Sequence, residues 1–375
     1  MKKILIFYAS YGGGHLNAAK SINEYLINNY KDISVEIIDC MKYVNKPIEK
    51  VSAIAYRELA KNAPWVWGKL YNDSQKGPVA HISARSNEIL AIKLLKLLRL
   101  KKPDLIISTH PFGSQMCSYL KRKGKINAKI ATIMTDFASH DQWLIGSDFT
   151  DYFFVSNEKM KKSLQKKSIP ENKIFVTGIP LSNKFLQKYD KEKIMSEFGL
   201  EKNKKTILFF GGGEFGLGKS RTFEIFETFV QNCINTQIIA IAGKNEKMKL
   251  AFEEIVIRNN AQNFIHILGF SNKIPELMSI ADFVVTKPGG LTTTESLASH
   301  LPIIIINPIP GQERENAKFL VSKGVAIWIK RNTNVSEVIN TLYSTPDKLE
   351  EMKFNTKLLA KPNSTKDICQ ILLNN

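Results

Sequence analysis

With 375 residues, 43% of them hydrophobic and 23% charged, the chain is too long for one ordinary hydrophobic core and has the composition of a soluble globular protein with two domains. Four dispersed cysteines (Cys40, Cys117, Cys233, Cys369) without a CxxC pair, and six equally dispersed histidines, argue against disulfides and against a zinc or other metal centre. The formal net charge of +18 is unevenly spread: residues 1–180 hold 28 Lys and Arg against 15 Asp and Glu, and residues 181–375 hold 25 against 20. A basic half suits an anionic surface as partner; a lysine-rich composition common to all proteins of the source would not produce the asymmetry.

The opening Met1-Lys-Lys followed by an apolar run mimics a signal peptide, but Ile4–Ala9 is too short for one and enters a glycine turn, so it reads as a buried strand. No stretch approaches the length of a membrane span, which places the protein in the cytoplasm or peripherally on the cytoplasmic side of the membrane. Apolar runs then alternate with amphipathic stretches, the pattern of parallel βαβ units. The first half has runs at Ile4–Ala9, Val35–Asp39, Leu105–Ser108, Ile130–Met134, Tyr152–Val155 and Ile174–Val176. The second has Thr206–Phe210, Gln237–Ala242, Phe264–Leu268, Phe283–Thr286, Ile303–Asn307 and Ala326–Trp328. This predicts two doubly wound domains, 1–180 and 181–363, with a last helix at 364–375 packing back on the first. Two segments break the rhythm. Residues 41–85 carry Tyr56, Trp65, Trp67 and Tyr71 among lysines, and 86–102 forms an amphipathic helix with Lys93, Lys96 and Arg99 at spacing three. That helix is expected to pack on the sheet rather than touch a membrane.

Tyr11-Gly12-Gly13-Gly14-His15 follows the first strand and opens a helix, where glycine permits close backbone approach and the helix N-terminus offers free N–H groups. Asp39 ends the second strand, where a dinucleotide's ribose would be read, but Asn17 stands where the G-x-G-x-x-G spacing needs its last glycine. His15 titrates near neutrality and suits general-base work, unless it merely caps the helix. Thr109-His110-Pro111 follows the third strand, and Thr135-Asp136 the fourth, with His140 and Trp143 shortly after. Three histidines and a carboxylate thus fall at the ligand-facing edge of an open parallel sheet.

In the second half, Gly211-Gly212-Gly213 with Gly216 and Gly218 follows the first strand, Gly243-Lys244-Asn245 the second and Gly269-Phe270 the third. The segment Lys287-Pro288-Gly289-Gly290-Leu291-Thr292-Thr293-Thr294-Glu295 follows the fourth, glycines and hydroxyls before a helix N-terminus, an anion site fit for a diphosphate. Glu295, one turn in, is placed to bond a ribose diol, and Gln312, Glu313 and Asn316 after the fifth strand could read sugar hydroxyls. Gly213 to Ser220 matches a P-loop literally, yet no Walker-B-like strand accompanies it.

Together these residues resemble the lipid-sugar transferases of glycosyltransferase family 28, notably the processive diacylglycerol glucosyltransferases of Gram-positive bacteria and the plant monogalactosyldiacylglycerol synthases. The resemblance covers nearly the whole chain through Gly12–His15, Thr109–Pro111, Thr135-Asp136 with His140 and Trp143, Thr177–Pro180, Lys287–Glu295 and Pro310–Asn316. It implies an α/β, GT-B fold, two Rossmann-like doubly wound domains facing a cleft, and inverting transfer of a hexose from a UDP-sugar to diacylglycerol at an anionic membrane surface. It implies no cofactor and no bound metal. It assigns catalysis to His15 as base with Asp136 as orienter or substitute, and the acceptor to Gly13, Gly14, His110, Pro111, His140 and Trp143. The donor falls to Gly212, Gly213, Gly243, Asn245, Phe270, Lys287, Gly289, Gly290, Thr292, Glu295, Gln312 and Glu313. N-acetylglucosamine transfer to an undecaprenyl-linked precursor, a nucleotide-sugar epimerase and a non-catalytic UDP-sugar sensor are the rivals. A nucleic-acid binder would leave Lys287–Glu295 without a purpose.

Overall fold

The structure, a computed structural model, describes residues 1–44, 58–59, 63–73, 78–212, 219–232 and 235–374. The expectations on Gly213, Tyr56 and Cys233, and on the side chains of Trp67 and Tyr71, fall outside the described residues. Met1–Leu59, Ala63–Ser182 and Lys361–Asn375 make one compact unit, and Asn183–Ala360 belongs to the second.

In the first unit β1 (Lys2–Tyr8), β2 (Ile33–Asp39), β3 (Leu105–Ser108), β4 (Lys129–Ile133), β5 (Tyr152–Val155) and β6 (Ile174–Val176) form a sheet in the order β2-β1-β3-β4-β5-β6. Every pairing is parallel. β1 starts earlier than its apolar run because Lys2 and Lys3 pair with Ile33 and Ser34, so hydrogen bonding carries the strand past the hydrophobic residues. Alternate residues of β1 feed opposite faces, as a pleated strand must: Leu5 and Phe7 join one core cluster, Ile4 and Ile6 the other.

The first of these faces is covered by helix Pro78–Lys101, which buries Leu90, Ala91, Leu94, Leu97 and Leu98. The expected packing role therefore holds, over a helix that starts before residue 86. Its other face is not simply polar: Ile89, Ile92 and Leu100 are exposed among Lys93, Lys96 and Arg99. On the opposite sheet face lie helix Gly13–Asn29, through Ala19, Ile22 and Leu26, and helix Ser364–Asn374, through Ile368, Cys369 and Leu372. The last helix is clamped where the chain leaves the sheet, since the Thr365 hydroxyl accepts from the Leu181 N–H at 2.8 Å and donates to the Leu181 carbonyl at 2.7 Å. Gly178 (φ +93°) allows the chain past this point; a Cβ there would lie 2.6 Å from the Lys361 Cβ.

The second unit repeats the plan with β7 (Lys205–Phe210), β8 (Thr236–Ile241), β9 (Ile265–Leu268), β10 (Phe283–Thr286), β11 (Ile303–Ile306) and β12 (Ala326–Ile329), in the order β12-β11-β10-β7-β8-β9. Again all pairings are parallel. Its core holds Phe209, Phe226, Phe229, Phe252 and Phe283, with the Phe226 and Phe252 ring centroids 4.3 Å apart. Both sheets are therefore doubly wound, as the alternation of runs predicts.

Ile368→Ala removes a fully buried side chain that joins the last helix to β1, and should destabilise the first unit by about 2–5 kcal/mol. Urea unfolding followed by circular dichroism measures this; an unchanged midpoint would mean the helix contributes no packing energy there.

Candidate functional site

In each sheet the order reverses beside its first strand, so neighbouring strands send their connections to opposite sides and leave a crevice above their carboxyl ends. In the first unit the reversal lies between β1 and β3, and the segments that leave those strands are Tyr11–His15 and Thr109–Pro111. Here the structure brings predicted residues into contact. The His15 Nδ1 lies 2.6 Å from the Thr109 carbonyl oxygen and 3.0 Å from the Thr135 hydroxyl. A carbonyl can only accept, so Nδ1 carries the hydrogen and Nε2 is left with a lone pair. The Thr109 hydroxyl in turn donates to the His15 carbonyl at 2.9 Å, fixing the helix start to the end of β3.

The His110 ring stands edge-on to His15 with centroids 4.7 Å apart. Its Nδ1 accepts the Phe112 N–H at 3.3 Å and so caps helix Pro111–Arg122, which leaves the hydrogen on Nε2. Burial lowers the pKa of His15 to about 4, against the opposing bond to Thr109. Burial, and then the neighbouring His15, hold His110 well below its usual value. Both rings are thus neutral near pH 7, one with an accepting and one with a donating Nε2. Tyr11, to which the sequence assigned no role, stacks on His110 at 5.3 Å; its place directly before the glycine turn is the signal that could have found it.

Among the other first-unit residues, Gly13 is exposed, with open space where a Cβ would be. Gly14 is half-buried and Pro111 opens its helix. Asp136 is buried directly after Thr135, its backbone carbonyl accepting from the Ser156 hydroxyl at 2.8 Å. His140 is spent partly on local structure, its Nδ1 accepting the Gln142 N–H at 3.2 Å. Trp143 is buried in a core cluster with Met134, Phe153, Val155 and Met160. Asp39 is likewise occupied, by the Ser10 hydroxyl at 2.5 Å and the Lys42 N–H at 2.9 Å, which leaves no support for a ribose-reading role.

In the second unit the reversal lies between β7 and β10, and the segments leaving them carry Gly211-Gly212 and Lys287–Gly290. Gly212 (φ +105°) brings backbone against Lys287; a Cβ there would lie 3.2 Å from the Lys287 Cε. Helix Gly290–Ala298 begins with Gly289 at its N-cap and no side-chain cap, so its first N–H groups face outward. Asn316 is buried and donates to the Pro288 carbonyl at 3.0 Å, tying this turn to helix Gln312–Ser322. Thr292 and Glu295 lie on the same helix, and burial pushes the Glu295 carboxyl up to about 7 although part of the residue reaches the surface. Glu313 accepts the Ile309 N–H at 2.7 Å from the first turn of its helix, where Gln312 also sits.

Gly243 (φ +62°) and Gly269 approach closely at the ends of β8 and β9, and neither Gly243 nor Gly289 would meet an obstacle within 4 Å at a Cβ. Phe270 is exposed, with the Lys244 ammonium 5.4 Å from its ring centroid. The Asn245 side chain caps helix Glu246–Arg258 by accepting the Met248 N–H at 3.2 Å, the common use of asparagine at that position. Among the described residues no group of three His, Cys, Asp or Glu side chains is placed to hold a metal ion.

Two known families match successive parts of the chain. Residues 15–181 match the family described as monogalactosyldiacylglycerol (MGDG) synthase, and residues 206–368 the glycosyltransferase family 28 C-terminal domain. The chain is 30% identical to a processive diacylglycerol beta-glucosyltransferase of Bacillus licheniformis, covering 98% of this chain and 93% of that protein. It is 28% identical to the one of Bacillus subtilis, covering 99% and 95%. Among solved structures it is similar to MurG of Acinetobacter baumannii (TM-score 0.67, 16% identity) and to the UDP-GlcNAc 2-epimerase of Neisseria meningitidis bound to UDP-GlcNAc (0.65, 16%), each over 100% of both chains. Those likenesses show the fold, a GT-B architecture.

The lowered pKa of the two histidines sets a sign for acid stability. A histidine that binds protons less readily when folded contributes stability that is complete above the unfolded value of 6.5 and is lost as pH falls toward about 4. Replacing His15 by Gln should therefore flatten the decline of unfolding free energy between those pH values; an unchanged slope in urea titrations would show that the His15 ring is not desolvated.

Proposed function

The chain belongs to glycosyltransferase family 28, among the processive diacylglycerol glucosyltransferases, and from that membership we propose that it transfers glucose from UDP-glucose to diacylglycerol with inversion, as a peripheral protein on the cytoplasmic side of the membrane. The observation that carries this reading is the likeness, over nearly the full length of both chains, to relatives named for that reaction.

His15 is the base. Its Nδ1–H is held by Thr109 and Thr135, so Nε2 can take the proton of the glycerol hydroxyl as that oxygen attacks the anomeric carbon. A pKa of about 4 leaves the ring in the basic form throughout the neutral range. Asp136 supports it at the end of β4, and Gly13, Gly14, His110, Pro111 and His140 flank the acceptor. In the second unit, Glu295 bonds the ribose diol, the outward N–H groups before Gly290 hold the diphosphate, and Gly243 and Phe270 flank the base. The departing diphosphate is met by the positive end of that helix and by protein cations, with no resident metal assigned a role.

Incubation with diacylglycerol vesicles and UDP-glucose, UDP-galactose or UDP-N-acetylglucosamine should yield a β-glucosyldiacylglycerol; the product's sugar, anomer and chain length read the donor and the number of additions. His15→Ala should lower turnover by a factor of roughly 10²–10⁴ while UDP binding barely changes. Near wild-type turnover would move the base to Asp136, and no glycolipid from any donor would sink the reading.

We assign the membrane face to Ile89, Ile92 and Leu100, exposed on helix Pro78–Lys101 opposite its packed face, with Trp65, which is 73% exposed. Beside it a cavity of about 650 Å³ is lined by Lys2, Arg99, Lys102, Lys125 and Lys129, with Asp104 as its one carboxylate. Other basic residues contribute less than their number suggests, because Lys121, Arg122, Lys161 and Lys167 are paired with Asp151, Glu88, Glu171 and Asp141. Each basic side chain near an anionic leaflet adds about 1 kcal/mol, and salt screens it. Binding to phosphatidylglycerol vesicles should fall steeply with added salt to a residue that Trp65→Ala with Ile92→Ala removes. Equal sedimentation with neutral and anionic vesicles at low salt would dismiss the charge.

A further inference from the structure

Three aromatic rings enclose His110. Tyr11 lies over it with the ring planes 25° apart and the centroids at 5.3 Å. His15 and Phe112 stand across it, each with its centroid at 4.7 Å and at angles of 78° and 61°. Tyr11 also meets Phe112 edge to face at 5.8 Å, and both pack on the core cluster that holds Cys40, Met41 and Met116, which anchors the stack. The turn after β1 holds the Tyr11 backbone, whose N–H donates to the Ala9 carbonyl at 2.9 Å before Gly12 turns at φ +110°.

We propose that Tyr11 is a positioning residue: it covers the His110 ring, keeps water from it and fixes its angle to His15, so that His15 can accept a proton. This role rests on the reading of His15 as base and deepens it. As the acceptor oxygen bonds to the anomeric carbon, its proton moves to the His15 Nε2, and the electron pair of the broken bond leaves with the diphosphate. His15 is then an imidazolium, and His110 must be neutral beside it for two reasons. A second imidazolium 4.7 Å away would repel the first. A protonated Nδ1 could no longer accept the Phe112 N–H that caps helix Pro111–Arg122. An aromatic face attracts a cation, so the stack alone would favour a charged His110. Its lowered pKa shows that exclusion of water outweighs that attraction. Among the described residues His15 is the one ionisable group whose charge shifts His110. Nearby, Asp39 is engaged by Ser10 and Lys42, Asp136 follows Thr135 at the end of β4, and burial raises the thiols of Cys40 and Cys117.

Tyr11→Ser removes the cover, and Tyr11→Phe keeps the ring without its hydroxyl. With histidine rings labelled and assigned through His15→Gln and His110→Gln, NMR titration of the wild type should show neither ring protonating near the ordinary value of 6.5. In Tyr11→Ser the coupled pair should titrate closer to that value, and the acid limb of kcat/KM should rise with it. One pH unit below the new limb, kcat/KM should stand about tenfold below its alkaline plateau, where the wild type is still level. Tyr11→Phe should follow the wild-type profile. Tyr11→Leu, which keeps apolar bulk against the core, should shift the limb in the same direction should the serine variant not fold. A tyrosine that only props the turn would lower the rate by one factor at every pH. That parallel profile with unmoved ring titrations, or a wild-type His110 that titrates at 6.5, would overturn the proposal. Ring titrations that move while the acid limb stays would show that another group is the base. The catalytic reading has then failed, and not the cover that Tyr11 gives His110.

Discussion

Both halves of this protein depend on one constraint of parallel sheets. Consecutive parallel strands must be joined by a crossover, and where successive crossovers depart to opposite faces the space above two adjacent strand ends cannot be filled by either. β1 with β3, and β7 with β10, are those pairs. Residues far apart in sequence meet there because the register of the ladder puts their strands level: Phe7 pairs with Ser108, and Val285 with Phe209. The contacts of His15 with Thr109, and of Gly212 with Lys287, follow from those pairings.

Desolvation does most of the electrostatic work, and in both units it favours the neutral form. In the first it keeps His15 and His110 neutral near pH 7. In the second it pushes Glu295 up and Lys287 down, so two groups that would be charged in water are held nearer to neutrality. A ligand with a diol and a diphosphate would supply what each lacks.

The sheets were legible in the sequence because the inner strands are buried on both faces and read as apolar runs, Leu105–Ser108 and Tyr152–Val155 among them. Strand ends were less so, since hydrogen bonding and not hydrophobicity decides whether Lys2 belongs to β1. Glycine turns marked both crevices, because only glycine takes the backbone of Gly12 and Gly212 to φ +110° and +105°. The work of individual polar residues was hidden. Asn245 caps a helix and Trp143 fills a core, yet each stands in sequence where a ligand contact would. The tautomer of His15 depends on a carbonyl 94 positions away, and the want of a hydrogen-bond partner for the Lys287 ammonium among the described residues on how distant segments pack. Neither is written in local pattern.

The docking of helix Ser364–Asn374 onto β1 and helix Gly13–Asn29 has a consequence for biosynthesis. A ribosome delivers the amino end first, so β1 to β6 emerge long before the helix that covers Ile4, Ile6 and Ile22. Until then this face of the first sheet is covered by helix Gly13–Asn29 alone and leaves part of its apolar surface in water, while the second unit, whose residues run from Asn183 to Ala360, can close without waiting. The nascent chain thus matures in an order opposite to its synthesis, with the earlier unit finished last, and chaperone demand should concentrate on the amino-terminal half.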